Sequence, residues 1–145
     1  MSREEMMVAA LTPAECRQRL ASATMGRIGM TVQALPVVLP VYFALDGEAV
    51  VIRTVAGTKL SAAIAGSVVA FEVDRHEDDG RGWSVMVQGR ATEIHGEQGL
   101  VRARALGLPA FNRAGVPDHY IAVALEFVSG RVVGPAPGAG DGRTG

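Results

Sequence analysis

Residues 83–94 limit this chain's fold more than any other stretch. Trp83, Val85, Val87 and Ala91 fall on one side of an extended chain, and Ser84, Met86, Gln88 and Arg90 on the other. That period of two belongs to a strand with one buried face and does not suit a helix. Similar runs recur: Arg27 to Val32, Pro36 to Leu45, Glu48 to Thr54, Val68 to Asp74 and Tyr120 to Val128. Most are bounded by Gly, Pro or Asp. Asp46-Gly47 marks a hairpin between the second and third runs. Six strands with few helices between them predict a mainly β domain, an antiparallel barrel rather than a doubly wound sheet.

The helices are short. Thr12-Pro13-Ala14-Glu15 has the form of a capping box with proline at the first helical position, which predicts a helix to about Ala21 with Cys16 and Leu20 turned to the core. A second is expected over Lys59 to Ala65, ended by Gly66, and a third over Glu97 to Leu106. His76 to Gly82 and Pro109 to Asp118 read as loops. Residues 1–10 are expected to be flexible, 11–133 to form the domain, and 134–145, rich in Gly, Pro and Ala, to be a mobile tail.

Composition narrows the partners. With 145 residues there is room for one domain, and aromatics at 5% leave Val, Ile, Leu and Ala to fill its core. A net charge of -1 supplies no basic field for nucleic acid or anionic lipid. Cys16 is the only cysteine, so an intramolecular disulfide framework is excluded. No apolar run is long enough to span a bilayer as a helix. The expectation is a cytoplasmic protein without nucleic-acid or membrane partners.

Chemistry concentrates at Arg53-Thr54-Val55-Ala56-Gly57-Thr58-Lys59, where a strand ends and a helix is expected to begin. A helix start presents free amides and a positive dipole end to an anion. Arg53 adds a planar fork of donors, Lys59 a point charge, and Thr54 and Thr58 hydroxyls. The segment suits one phosphate group; an ordinary strand-to-helix turn with two solvated cations is the alternative. Pro40 removes a ladder donor, so its strand is an edge there, is bulged, or faces something other than a strand. Gly89 implies a bulge or a close approach by backbone or ligand. Gln88 and Ser84 share a face that meets either a polar heterocycle or solvent.

These residues carry a resemblance. Gly26-Arg27-Ile28-Gly29, Pro36-Val37-Val38-Leu39-Pro40-Val41-Tyr42-Phe43, Arg53-Thr54 with Gly57-Thr58-Lys59-Leu60, Ala70-Phe71-Glu72-Val73-Asp74, Gly82-Trp83-Ser84-Val85 with Gln88-Gly89-Arg90-Ala91, and Val128-Ser129-Gly130-Arg131 occur in order over Leu11 to Val133. The set resembles the pyridoxamine 5'-phosphate oxidase-like flavin-binding proteins, in their generic flavin-binding branch. The resemblance implies a six-stranded split β-barrel and a homodimer with FMN in a cleft between subunits. It implies an FMN phosphate near Arg53, Thr54, Thr58 and Lys59, and an isoalloxazine along Val38, Leu39, Pro40 and Val41. Trp83, Ser84 and Gln88 would approach from the partner subunit. The vitamin oxidases themselves are longer and end in an arginine- and histidine-bearing segment, which this chain lacks.

The implied activity is an FMN-dependent oxidoreductase acting on a small molecule. Alternatives are a reductase using a deazaflavin coenzyme, and a non-catalytic module for flavin or haem with His119, His95 or a methionine as axial donor. No nucleophile elbow or catalytic acid–base pair is evident, which accords with chemistry carried by a cofactor. His76, His95 and His119 lack metal-ligand spacing, so no metal is expected. Glu72 and Asp74 alternate on one strand face, most simply paired with a cation such as Arg27.

Overall fold

A computed structural model describes residues 5–55, 64, 66–109 and 118–135. Its elements are β1 (Met6–Ala10), α1 (Pro13–Ser22), β2 (Met25–Val32), β3 (Leu35–Asp46), β4 (Ala49–Val55), β5 (Val68–His76), β6 (Gly82–Glu93), α2 (Glu97–Ala105), β7 (Asp118–Ala124) and β8 (Phe127–Pro135). The strands lie in the order β1-β8-β6-β5-β2-β3-β4-β7, and β7 returns to pair with β6. Six strands therefore close into an antiparallel barrel, and β8 and β1 extend the sheet outward from β6. The split arises because one edge of β6 serves two neighbours: Gly82 to Gln88 pair with β8, and Ala91 to Glu93 with β7. Gly89 sits at the changeover. A Cβ there would overlap the carbonyl oxygen of Ala124, so the close backbone approach is the reason for glycine, and the alternation of buried and exposed residues runs through it unbroken.

Apolar residues at alternate positions fill the barrel. Ile28, Phe43, Val50, Ile52, Phe71, Val85, Val87, Ile121 and Val123 are buried there, with Cys16 and Leu20 of α1 packed on the same cluster. Phe43 and Phe71 meet edge to face, ring centres 4.7 Å apart, a geometry that adds roughly 1 kcal/mol to the burial itself. A Cβ on Gly26 would run into the Phe71 ring, so β2 needs glycine to lie against it. A smaller cluster of Val51, Ala103, Leu108 and Tyr120 joins α2 to the outer side of β4 and β7.

The capping box forms as its spacing predicts. The Thr12 amide donates to Glu15 Oε1 at 2.9 Å, and the Glu15 amide donates to Thr12 Oγ1 at 3.2 Å. α1 and α2 each hold the β3–β4 turn. Arg17 of α1 donates to the Gly47 carbonyl at 2.8 Å, and Arg102 of α2 pairs with Asp46 at 2.8 Å.

Several sequence expectations are corrected. The β3–β4 turn falls on Gly47-Glu48, one residue later than read, because Gly47 at φ +58° takes the first turn position. The last expected strand, Tyr120 to Val128, is two strands, β7 and β8, reversing at Leu125-Glu126. Residues 6–10, expected to be flexible, form β1 because β8 supplies a ladder for all five. The expected helix over 59–65 lies outside the described residues except for Ile64, which is buried in the barrel core. The tail from residue 136 also lies outside them.

Candidate functional site

Strand register sets which side chains share a surface. Directly opposed residues point the same way, so Phe127, Gln88, Ala70, Gly29 and Val38 form one row across β8, β6, β5, β2 and β3. Ser129, Met86, Glu72, Arg27 and Pro40 form the next. This is the outer face of the barrel wall, and it is unusually apolar for an exposed surface. Val38 is 66%, Val68 64%, Phe127 69% and Met86 38% exposed, and Met25 joins them. Gln88 in the first row and Ser129, Glu72 and Arg27 in the second lie among these apolar side chains.

The face ends at an open strand edge. β4 pairs with β3 only from Phe43 to Asp46, whereas β2 pairs with it from Leu35 to Tyr42. Among the described residues no strand lies along the other edge of residues 35–42. Pro40, inside that stretch, is tolerated because the chain is an edge there. Of the four residues expected beside a flavin ring, Val38 and Pro40 point outward, while Leu39 and Val41 turn toward the core.

Beside Pro40 lies a cavity of about 250 Å³ lined by Met25, Gly26, Arg27, Pro40, Glu72, Val73 and Asp74. Arg27 Nη1 is 3.3 Å from Glu72 Oε1 and 3.1 Å from Asp74 Oδ2. Partial burial, followed by the hydrogen bond and charge of Asp74, pushes the Glu72 carboxyl up to about 7, against the pull of Arg27. The same hydrogen bond from Glu72 holds Asp74 below its usual range. The pair behaves as two carboxyls sharing one proton over a cation. The sequence placed Glu72 and Asp74 on one face with Arg27 as the expected partner, and that arrangement is present.

Arg53 and Thr54 diverge, as neighbours on a strand must. Arg53 points to the outer side, where Nη1 donates to the Leu108 carbonyl at 2.8 Å and the guanidinium lies 5.7 Å from the Tyr120 ring centre. Thr54 points inward, with Oγ1 3.4 Å from the His119 carbonyl. Thr58 and Lys59 lie outside the described residues. Next to Arg53's anchor, a larger cavity of about 570 Å³ opens between the end of α1, Tyr42 to Leu45 of β3, and Leu106 to Pro109.

Ser84 and Gln88 lie on the outer face, as their alternation predicted. Trp83 does not share it. Its indole is 8% exposed in the chain's own core, with the Arg19 guanidinium 5.3 Å from the ring centre. His119 Nδ1 donates to Glu93 Oε1 at 3.1 Å, while its buried Nε2 has no hydrogen-bond partner among the described residues. Phe127 and Tyr120 were not singled out from sequence. The period of two through β8 could have found Phe127; the role of Tyr120 as a platform for Arg53 depends on a pairing 67 residues apart that only the fold reveals.

Three comparisons with known proteins bear on this arrangement. A relative in Mycobacterium tuberculosis, the uncharacterized protein Rv0080, is 38% identical over 123 residues, covering 80% of this chain and 79% of its own length. The solved FAD binding protein from Mycobacterium smegmatis is 32% identical, with a TM-score of 0.73 over 85% of this chain and 98% of that one. A conserved protein of unknown function from Corynebacterium diphtheriae is 27% identical, with a TM-score of 0.73 over 86% of this chain and 97% of that one. The model of the family described as pyridoxamine 5'-phosphate oxidase matches residues 12–132, from the Thr12 cap through β8. A barrel split at β6, an open edge on β3 and a match across nearly all the described domain lead to one assignment: the chain belongs to the pyridoxamine 5'-phosphate oxidase family.

Proposed function

We propose that the protein is a flavin-dependent oxidoreductase acting on a small molecule in the cytoplasm, and that it works as a homodimer with the flavin in a cleft between two outer faces. The observation that carries this reading is the edge of β3 at residues 35–42, which has no strand partner among the described residues and adjoins exposed apolar side chains. The Mycobacterium smegmatis relative binds FAD by its name, which supports a flavin with at least one phosphate; FMN is the smallest such form.

The chain's own residues divide the work. Val38, Leu39, Pro40 and Val41 offer backbone edge to the ring system. Arg53, Thr58 and Lys59 hold the phosphate end by charge-assisted hydrogen bonds, while the Thr54 hydroxyl turns inward toward the His119 carbonyl. Gln88 lies three strand spacings from Val38 along its row, about 14 Å. That separation favours a role for Ser84 and Gln88 in the cleft of the other copy, as the dimer reading expects. Apolar Met86, Val68 and Phe127 exclude water when two faces meet. When bound, the flavin supplies hydride transfer, and the protein supplies position and electrostatics.

The test is the visible spectrum of the purified protein, followed by titration with FMN and riboflavin. Flavin should be present or taken up. Arg53→Ala with Lys59→Ala should weaken FMN by at least about tenfold, the scale of a lost charged contact, and leave riboflavin nearly unchanged. Equal loss for both ligands would show that these cations do not hold the phosphate; no flavin uptake at all would falsify the proposal.

A further inference from the structure

Arg53 and Tyr120 stand directly opposite each other on β4 and β7, so their side chains leave the sheet on the same side. The guanidinium lies 5.7 Å from the centre of the Tyr120 ring, within the range where an aromatic face attracts a cation. The ring is a fixed partner: Tyr120 is 2% exposed and packs with Val51, Ala103 and Leu108. Its backbone is fixed as well, with the Tyr120 carbonyl accepting from the Ile94 amide at 2.9 Å.

A second contact comes from the end of α2. The Gly107 amide donates to the Arg104 carbonyl at 3.1 Å, and Gly107 takes φ +68°, a left-handed conformation suited to glycine. That reversal directs the Leu108 carbonyl at Arg53, where it accepts from Nη1 at 2.8 Å. A loose arginine side chain samples many rotamers, and ordering it at the moment of binding costs affinity. Here one end of the planar fork is tied to a carbonyl and its flank lies against a ring, so that ordering is completed on folding. Helix end, ring and strand together set the plane of the guanidinium.

We propose that Tyr120 is a positioning residue for anion recognition: its ring, with the Leu108 carbonyl, holds the Arg53 guanidinium in the orientation that receives a phosphate. It thereby sets the preference for a phosphate-bearing flavin over the same flavin without phosphate. The inference rests on the flavin reading above and deepens it, since Tyr120 acts through Arg53 and does not touch the ligand. It also gives the outer apolar cluster a role, because that cluster anchors both the ring and the carbonyl that hold Arg53. A point charge would gain little from such a frame, whereas a guanidinium presents its donors in a fixed plane.

The experiment titrates FMN and riboflavin into the full chain by calorimetry, for wild type, Tyr120→Phe, Tyr120→Met, Arg53→Ala and the double variant Arg53→Ala with Tyr120→Met. The readout is the ratio of the riboflavin Kd to the FMN Kd, in which any loss of folded protein cancels. Tyr120→Phe keeps the ring and should stay within about twofold of wild type. Tyr120→Met fills the space with a flexible apolar chain but offers no ring face, and should lower the ratio about fivefold. In the Arg53→Ala background the same change should lower it no further, as expected of residues that act through one another. Gly107→Ala, at an exposed position with open space for its Cβ, strains the turn that aims the Leu108 carbonyl and should lower the ratio about threefold. An unchanged ratio in Tyr120→Met, or an equal fall in the Arg53→Ala background, would overturn the positioning role. Should Tyr120→Met not fold, an unchanged ratio in Gly107→Ala does the same. Flavin binding whose ratio is indifferent to Arg53→Ala would also overturn it while leaving the flavin reading intact. Failure of every flavin to bind would remove this proposal together with the reading on which it rests.

Discussion

Replacing Glu72 by Gln tests the proton shared between Glu72 and Asp74. The folded protein raises Glu72 from its ordinary 4.5 to about 7, chiefly by burial and then by the neighbouring Asp74. Between those values the folded chain keeps a proton that the unfolded chain has released. Stability from this group is therefore complete below about pH 4.5, declines as pH rises, and is gone above about pH 7. In a dry site the shift would correspond to about 3 kcal/mol. The Glu72 side chain is 33% exposed and Arg27 57%, so solvent and salt screening reduce this to about 1 kcal/mol. Asp74, whose pKa lies below its ordinary 3.8, is ionised in folded and unfolded chains throughout that range and adds a constant. The other charged and titratable groups on this surface, Arg27, His76, Tyr42 and Arg131, are common to both proteins and cancel in the comparison. Gln keeps the size of Glu and can still donate to Asp74, yet has no proton to lose. In urea unfolding at about pH 5 and about pH 8, wild type should lose about 1 kcal/mol that Glu72→Gln retains, or roughly 3 °C in Tm for a domain of this length. Parallel pH profiles for the two proteins would refute the shared proton.

Two further outcomes probe the face and its hairpin. Phe127→Asp places a charge on an exposed position of the outer face, so sedimentation at several concentrations should show association weakened by at least about tenfold with Tm little changed; a wild type that is strictly monomeric, or a variant that still dimerises fully, would remove the shared cleft. Gln33 and Ala34 turn the β2–β3 hairpin with φ of 50° and 65°, a left-handed conformation that costs an L-residue about 1 kcal/mol or more. Ala34→Gly should raise unfolding free energy by about 1 kcal/mol in urea titration, and a loss of stability would mean that the turn is not strained.

The corrections in the fold share a cause. β1 carries no pattern of its own beyond five small and apolar residues, and it becomes a strand because β8 offers it hydrogen bonds. The reversal at Leu125-Glu126 lacks the Gly, Asn or Asp that marks most hairpins, so β7 and β8 read as one run. The Gln33-Ala34 turn is equally unmarked; there the ladder from Met25–Tyr42 to Val32–Leu35 holds the backbone where its residues would not go unaided. Pro40 was legible as an interruption of pairing but not as one of its three possible meanings. That choice depended on β4 ending its ladder at Phe43.

What the sequence determined by itself was local: the Thr12 capping box, the period of two through β6, the core-facing Cys16 and Leu20, and the sharing of a face by Ser84 and Gln88. Each depends on neighbours a few residues apart and follows from helix or strand geometry alone. The concentration of phosphate-compatible groups at Arg53 to Lys59 was legible for the same reason. Only the tertiary structure decided that Arg53 leans on Tyr120 and Leu108, and that the cluster of Glu72, Asp74 and Arg27, whose pairing the sequence suggested, lies beside Pro40. Those relations join residues from β2, β3, β4, β5 and β7. Barrel closure sets them, because register across a ladder, and not distance along the chain, determines which side chains touch.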